Sequence, residues 1–261
     1  MTILDQLAEH AKRRVEIAKE IEPLEAIKER ALSLPKGDFE FEKALEKKDL
    51  SFICEVKKAS PSKGIIAEEF DYLSIAKEYE AAGADCISVL TEPKWFLGKD
   101  EYLKEIAEAV NIPIIRKDFT VDEYMIYEAK CLGASAVLLI ASILCEHELK
   151  DYIRICDSLG ISALVECHDA LEIKNALEAG ARIIGVNNRN LKDFTVDTNN
   201  SMNLRSLIPE NVLYVSESGI KDSKDVKALR EANVNAVLVG ETLMRAADKR
   251  DMLLKLKGEV I

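Results

Sequence analysis

Six short stretches put chemically capable side chains at or just past the end of an apolar run: CEVKKASPSKG (54–64), IPIIRKDF (112–119), LVECHD (164–169), IGVNNRNL (184–191), VSESGI (215–220) and VGETLM (239–244). In the first, Glu55 and Lys57 are two residues apart, so on a strand they share a face with Ile53. A carboxylate and an ammonium on an inward face are costly unless paired or solvated. They are therefore either a buried ion pair or the mouth of a site. Lys117 can act as a general acid if burial or a neighbouring cation lowers its pKa. Glu166 can serve as acid or base. Glu55 and Glu217 can orient the lysines or stabilise positive charge. Asn187 can fix a hydroxyl or carbonyl without titrating.

A second group points to an anion. Ser60, Arg189, the Ser218-Gly219 turn and the Gly240-Glu241 helix start offer hydroxyl, guanidinium and backbone N–H donors suited to a phosphate. Glu241 fits such a cradle if its side chain points away while its N–H donates. Each glycine alone is equally well explained by strand–helix packing; the combination favours phosphate. Trp95 and Phe96, in VLTEPKWFLG (89–98), read either as loop packing or as an apolar wall for an aromatic substrate.

These residues need elements to bring them together. Eight aliphatic or β-branched runs recur at 51–57, 86–91, 112–117, 136–141, 162–166, 182–187, 212–217 and 236–240. Amphipathic stretches lie between them, for example at 71–82, 122–132, 146–159, 169–179 and 222–232. Several close on Gly or Ala-Gly, the residue that stops a helix before the next strand. The alternation predicts an α/β parallel sheet closed into a (β/α)8 TIM barrel. The length of 261 residues is close to the ~250 of one such barrel. Residues 2–32 read as helical with a break at Pro23, and 33–51 as a connection with a short helix. The expected organisation is one domain, with a helical extension over 1–50 and eight βα units over 51–261. In a TIM barrel the C-terminal strand ends form the active site, so the polar ends converge on one mouth. A structural ion-pair network belongs instead at the bottom face or the outer ring.

Composition narrows the function. The net charge of −11 leaves no global basic footprint, which argues against a nucleic-acid partner, although a local Lys cluster can still take an anionic substrate. None of the six cysteines forms a Cys-x-x-Cys pair, so they read as free thiols in a reducing compartment. The N-terminus reads as a charged amphipathic helix rather than a signal peptide, and no apolar run reaches ~18 residues. The expectation is a cytoplasmic monomer away from membranes. Metal-ligand spacing and a Gly-x-Gly-x-x-Gly fingerprint are both missing, so neither a metal nor a dinucleotide cofactor is expected. His10, His147 and His168 are scattered, and none ends a strand on the inward face. His168 and Asp169 read as the start of the next helix.

Together with VLTEPKWFLG, the six stretches form seven ordered motifs that closely resemble the indole-3-glycerol-phosphate synthase family of tryptophan biosynthesis, over nearly the whole chain. The resemblance implies conversion of 1-(2-carboxyphenylamino)-1-deoxyribulose 5-phosphate to indole-3-glycerol phosphate, with loss of carbon dioxide and water and no cofactor. It implies Lys117 as general acid, Glu166 as the residue that handles protons in the dehydration, and Lys57 as a contact for anionic groups or a second acid. Glu55 and Asn187 would position substrate and lysine, with Glu217 and Ser218 completing the site. Phosphate is expected at Ser60, Arg189, Gly219, Gly240 and Glu241. Trp95, Phe96, Phe119 and Leu138 would hold the anthranilate ring. The N-terminal helices would cover the barrel mouth, and the ASPSKG loop would close over the substrate. Lys99-Asp100 and Asn190 depart from the family's usual residues. Phosphoribosylanthranilate isomerase, another sugar-phosphate barrel, is expected to use a Cys–Asp pair that these strand ends lack. A barrel that binds without turnover should have lost Lys117 or Glu166.

Overall fold

The computed structural model describes residues 2–190 and 194–259. The eight runs form strands β1 (Ser51–Val56), β2 (Cys86–Leu90), β3 (Ile114–Lys117), β4 (Ala136–Ile140), β5 (Ser162–Cys167), β6 (Ile183–Asn187), β7 (Leu213–Glu217) and β8 (Ala236–Val239). Each pairs in parallel with its sequence neighbours, and β1 pairs with β8 to close the barrel. Helices connect successive strands, as the alternation requires. A short hairpin, Ala59–Ser60 against Gly64–Ile65, interrupts the loop after β1.

Strand alternation sorts the core into two layers. Ile53, Ile115, Leu138, Ile140, Leu164, Ile183, Val215 and Leu238 fill the barrel interior. Phe52, Cys54, Val56, Val137, Val165 and Val237 face the surrounding helices. Each large side chain so buried contributes about 1.5–3 kcal/mol.

The N-terminal extension divides into α1 (Ile3–Ile21), α2 (Leu24–Ser33) and α3 (Glu40–Leu45), with Pro23 as the N-cap of α2. It does not cover the mouth as a unit. Only the start of α1 reaches it, through Ile3, Leu4 and Leu7. Phe41 and Leu45 of α3 are buried against the barrel interior. They enter from the opposite end: Ala44 accepts the Ser51 hydroxyl, and Glu42 pairs with Arg182, both at strand N-termini. α1 is latched along one side of the barrel by His10 to Glu92 (3.2 Å), Arg14 to Asp118 (2.6 Å) and Lys19 to Asp122 (2.7 Å).

Candidate active site

A cavity of about 600 Å³ opens where the strands end. β3 contributes Lys117, whose side chain is 15% exposed. Its ammonium lies 3.1 Å from Glu166 Oε2 of β5 and 3.6 Å from Glu217 Oε2 of β7. Burial opposes the charge, but Glu166, Glu217 and Glu55 outweigh it and hold the pKa above that of free lysine. This reverses the condition set from sequence. The neighbours are carboxylates, so Lys117 holds its proton firmly instead of being tuned downward.

The two glutamates beside it split. Burial works against the Glu166 charge, yet Lys117, His168 and Asn187 pull its pKa below the usual carboxylate range. Glu217 is driven up to about 8, first by burial; Lys117 opposes the rise, and Glu166 and Glu55 add to it. Two carboxylates around one ammonium cannot both ionise freely, so one stays charged and the other keeps a proton. Glu217 Oε1 is buried with no hydrogen-bond partner. The register explains the crowding: Asn187 pairs with Glu217, and Glu166 with Gly185. A Cβ on Gly185 would collide with the Glu217 carboxylate.

Glu55 of β1 and Lys57 just past its end form the ion pair that their spacing allowed, and both line the cavity. A Cβ on Gly240 would strike the Glu55 carboxylate and crowd the Lys57 ammonium. Gly240 thus makes room for this pair, whatever else its N–H does.

One sector of the wall is cationic and rich in donors. Ser60, Arg189, Ser218, Gly219, Gly240 and Glu241 all line it, joined by Lys63 and Arg245. The Glu241 side chain does not turn away from this group. It accepts from Arg245 (3.0 Å), meets Lys63 at 3.5 Å and stands 4.0 Å from Arg189. It is the rim's internal counter-charge. Ser218 sits in the left-handed region at φ 68°, a conformation costing about 1–3 kcal/mol that recurs at functional sites. Asn188 holds it by donating to the Ser218 carbonyl at 3.0 Å.

Another sector is apolar. Phe96, Phe119, Leu138 and Ile140 line it, with the Phe96 and Phe119 rings 6.1 Å apart. Trp95 is not in this wall. Glu92 accepts the N–H groups of Lys94, Trp95 and Phe96, so the loop winds around one buried carboxylate. Trp95 packs edge-on against His10 of α1 at 5.4 Å, with the Lys94 ammonium over its ring. For Trp95 the loop-packing alternative describes the geometry; for Phe96 the wall does.

The family profile of indole-3-glycerol phosphate synthase matches residues 4–256. A protein of that name from Ruminiclostridium cellulolyticum is 55% identical over 257 residues, covering 98% of this chain and 99% of its own length. Another, from Lachnoclostridium phytofermentans, is 49% identical over 268 residues, with 98% and 99% coverage. The chain belongs to the indole-3-glycerol phosphate synthase family. The family's enzymes are decarboxylating, ring-closing lyases of tryptophan biosynthesis, and they bind a phosphorylated substrate. Among solved structures, a 3-hexulose-6-phosphate synthase superposes with a TM-score of 0.66 at 14% identity, covering 81% of this chain and all of its own. That likeness concerns the barrel fold alone.

Against this family background, sequence reasoning missed several lining groups. Ile3, Leu4 and Leu7 come from the extension, Lys63 from the hairpin tip, and Arg245 from the helix after Gly240. Lys63 lay within a quoted stretch, and Arg245 is one helical turn beyond Glu241, so both were findable. His168 was passed over, yet its Nε2 lies 3.4 Å from Glu166 Oε1. Among the described residues, no group of three or more His, Cys, Asp or Glu side chains is arranged to hold a metal. No described helix is long and apolar enough to cross a membrane.

Proposed function

We propose that, in the ring closure this family performs, Lys117 is the general acid, Lys57 the second acid and Glu166 the base. The aromatic carbon bearing the carboxylate attacks the ribulose carbonyl. A carbon–carbon bond forms, the carbonyl electrons move to oxygen, and that oxygen takes the proton of Lys117. The ring is left as an iminium-type cation. Glu166 and Glu55 stabilise it, since fixed negative charge is worth more in a site shielded from water. Loss of carbon dioxide returns the bond electrons to the ring. The new hydroxyl then leaves as water with a proton from Lys57, while Glu166 takes a methylene proton and the indole becomes aromatic. Two protons are supplied and one is recovered, which matches the net uptake of one proton when a carboxylate is lost as carbon dioxide.

One observation carries this reading. A single cavity holds a buried ammonium among carboxylates, an aromatic wall and a cationic rim. Phe96, Phe119 and Leu138 then face the anthranilate ring. Arg189 and Lys63, with the hydroxyls and N–H groups of Ser60, Ser218, Gly219 and Gly240, take the phosphate. Asn187 holds Glu166 by donating at 3.2 Å. Every group named in the site comes from one chain, so no second copy is needed to complete it. Six free cysteines and a net charge of −11 support a cytoplasmic enzyme away from nucleic acids. The burial of α3 in the barrel end supports one domain over the whole chain.

The test is turnover of carboxyphenylamino-deoxyribulose phosphate by wild type, Glu166→Gln and Lys57→Ala, followed by indole fluorescence. We expect wild-type turnover and a kcat loss of at least ~100-fold for Glu166→Gln, with a smaller loss for Lys57→Ala. An unimpaired Glu166→Gln would remove Glu166 from the proton chemistry.

A further inference from the structure

Glu166 divides its oxygens between two kinds of partner. Oε2 faces Lys117 at 3.1 Å, on the cavity side. Oε1 accepts from Asn187 at 3.2 Å and meets His168 Nε2 at 3.4 Å. The His168 ring is gripped from its other edge, where Nδ1 lies 3.0 Å from Glu172 Oε2. The same Glu172 oxygen accepts the His168 backbone N–H at 2.8 Å. The local sequence builds this arrangement. β5 ends at Cys167, and His168 follows in the bend before the next helix, where its ring turns back to Glu166. Asp169 then caps the next helix through the N–H groups of Leu171 and Glu172, which returns Glu172 one turn later beneath the imidazole.

We propose that His168, braced by Glu172, is a positioning residue that keeps the Glu166 carboxylate ionised and aimed when Lys117 gives its proton to the substrate. The proposal rests on the reading of Glu166 as the base. During the first step Lys117 loses its proton, and Glu166 loses the cation nearest to it. Glu166 is 2% exposed and shares the site with Glu217, so without another positive neighbour its pKa would climb and the base would be lost. His168 is a cation outside the main cavity. It lines a second, adjoining cavity of about 450 Å³ that shares Asn187 and Arg189 with the first. Its Nε2 is buried and makes no well-formed hydrogen bond, which leaves that edge available to Glu166. Burial opposes the imidazolium, but Glu166 and Glu172 raise its pKa to about 10.

The charged groups around the pair come from four directions. Glu172 and Asp169 lie on the following turn and helix, and Arg189 and Asp197 on the segment after β6. Lys117 of β3 and Glu217 of β7 act through Glu166.

The experiment is the pH dependence of kcat for wild type, His168→Gln, Glu172→Gln and Glu166→Gln, with thermal unfolding in parallel. Glutamine at 168 can still donate a hydrogen bond but carries no charge. Removing the cation raises the Glu166 pKa, so the acidic limb should move to higher pH by about one unit. That makes the rate below the limb ~10-fold lower, with much of it recovered on the plateau. Glu172→Gln should move the limb the same way by less, and it remains informative if His168→Gln does not fold. An equal loss of kcat at every pH with an unmoved limb overturns the proposal, because it reports packing alone. Retention of wild-type kcat by Glu166→Gln would overturn the reading of Glu166 as base, and the proposal with it, by a separate observation.

Discussion

Arg116 and Lys117 are neighbours on β3, both cationic and both buried, and they point to opposite sides of the strand. Arg116 faces the helices and is 2% exposed. Its guanidinium meets Asp100 at 2.7 Å, Glu128 at 2.7 Å, the Met125 carbonyl at 3.1 Å and Thr91 at 3.1 Å. Every nitrogen has a partner, and Asp118 is fixed separately by Arg14 and Thr91. Lys117 faces the cavity. It has carboxylates in excess, and Glu217 Oε1 beside it has no hydrogen bond. The difference separates structure from chemistry: a saturated buried cation holds elements together, whereas Lys117, its proton held among competing carboxylates, faces the open space of the cavity.

The comparison can be broken first at Arg116. Arg116→Ala empties the site of one of the largest fully buried side chains and leaves the Thr91 and Met125 oxygens without their donor, a loss of about 3–5 kcal/mol. For a chain of this size that lowers Tm by about 6–20 °C. Lys117→Ala should cost less stability, because Glu217 can hold a proton and Glu166 keeps Asn187 and His168 as partners. Equal losses in thermal scans of the two variants would erase the distinction.

A second test uses pH. Glu217 is raised to about 8 in the folded chain, so between the ordinary glutamate range and that value the native state holds a proton that the unfolded state has released. Stability contributed through Glu217 therefore falls as pH rises across this window. Glu217→Gln lacks that slope. Its Tm should gain on wild type between about pH 5 and pH 8, by the equivalent of ~1 kcal/mol or more at the upper end. A constant difference would mean that Glu217 is ionised throughout. The smallest contrast is in the loop after β2. Phe96→Ala should raise KM by ~10-fold, whereas Trp95→Leu, acting on the α1 contact, should leave KM within about twofold and lower Tm slightly. Matching KM changes would put Trp95 back in the substrate wall.

Much of this was legible in the sequence because two periodicities cooperate. Apolar runs alternating with amphipathic stretches define the barrel, and the period of two along each strand names the inward side chain at its end. Glu55, Lys57, Lys117, Glu166, Asn187 and Glu217 follow from these two rules. What failed depended on local geometry that neither rule reaches. His168 and Asp169 do lead into the next helix, with Asp169 as its N-cap, but nothing local told that the His168 ring would reach Glu166 at 3.4 Å. Trp95 and Phe96 were separated by a loop wound around Glu92, which composition does not encode. The short helix expected within 33–51 is there, but nothing local told that its Phe41 and Leu45 would fill the far end of the barrel. The direction of the Lys117 pKa depended on partners from three other strands, β1, β5 and β7. Asp100 acquires its reason only beside Arg116.

The most direct measurement of the central claim is single-turnover conversion of carboxyphenylamino-deoxyribulose phosphate by Lys117→Ala, with folding checked on the same sample. If Lys117 supplies the first proton, the folded variant should be slowed by at least ~100-fold relative to wild type. A folded Lys117→Ala that closes the ring at close to the wild-type rate would contradict the account and move the acid to Lys57.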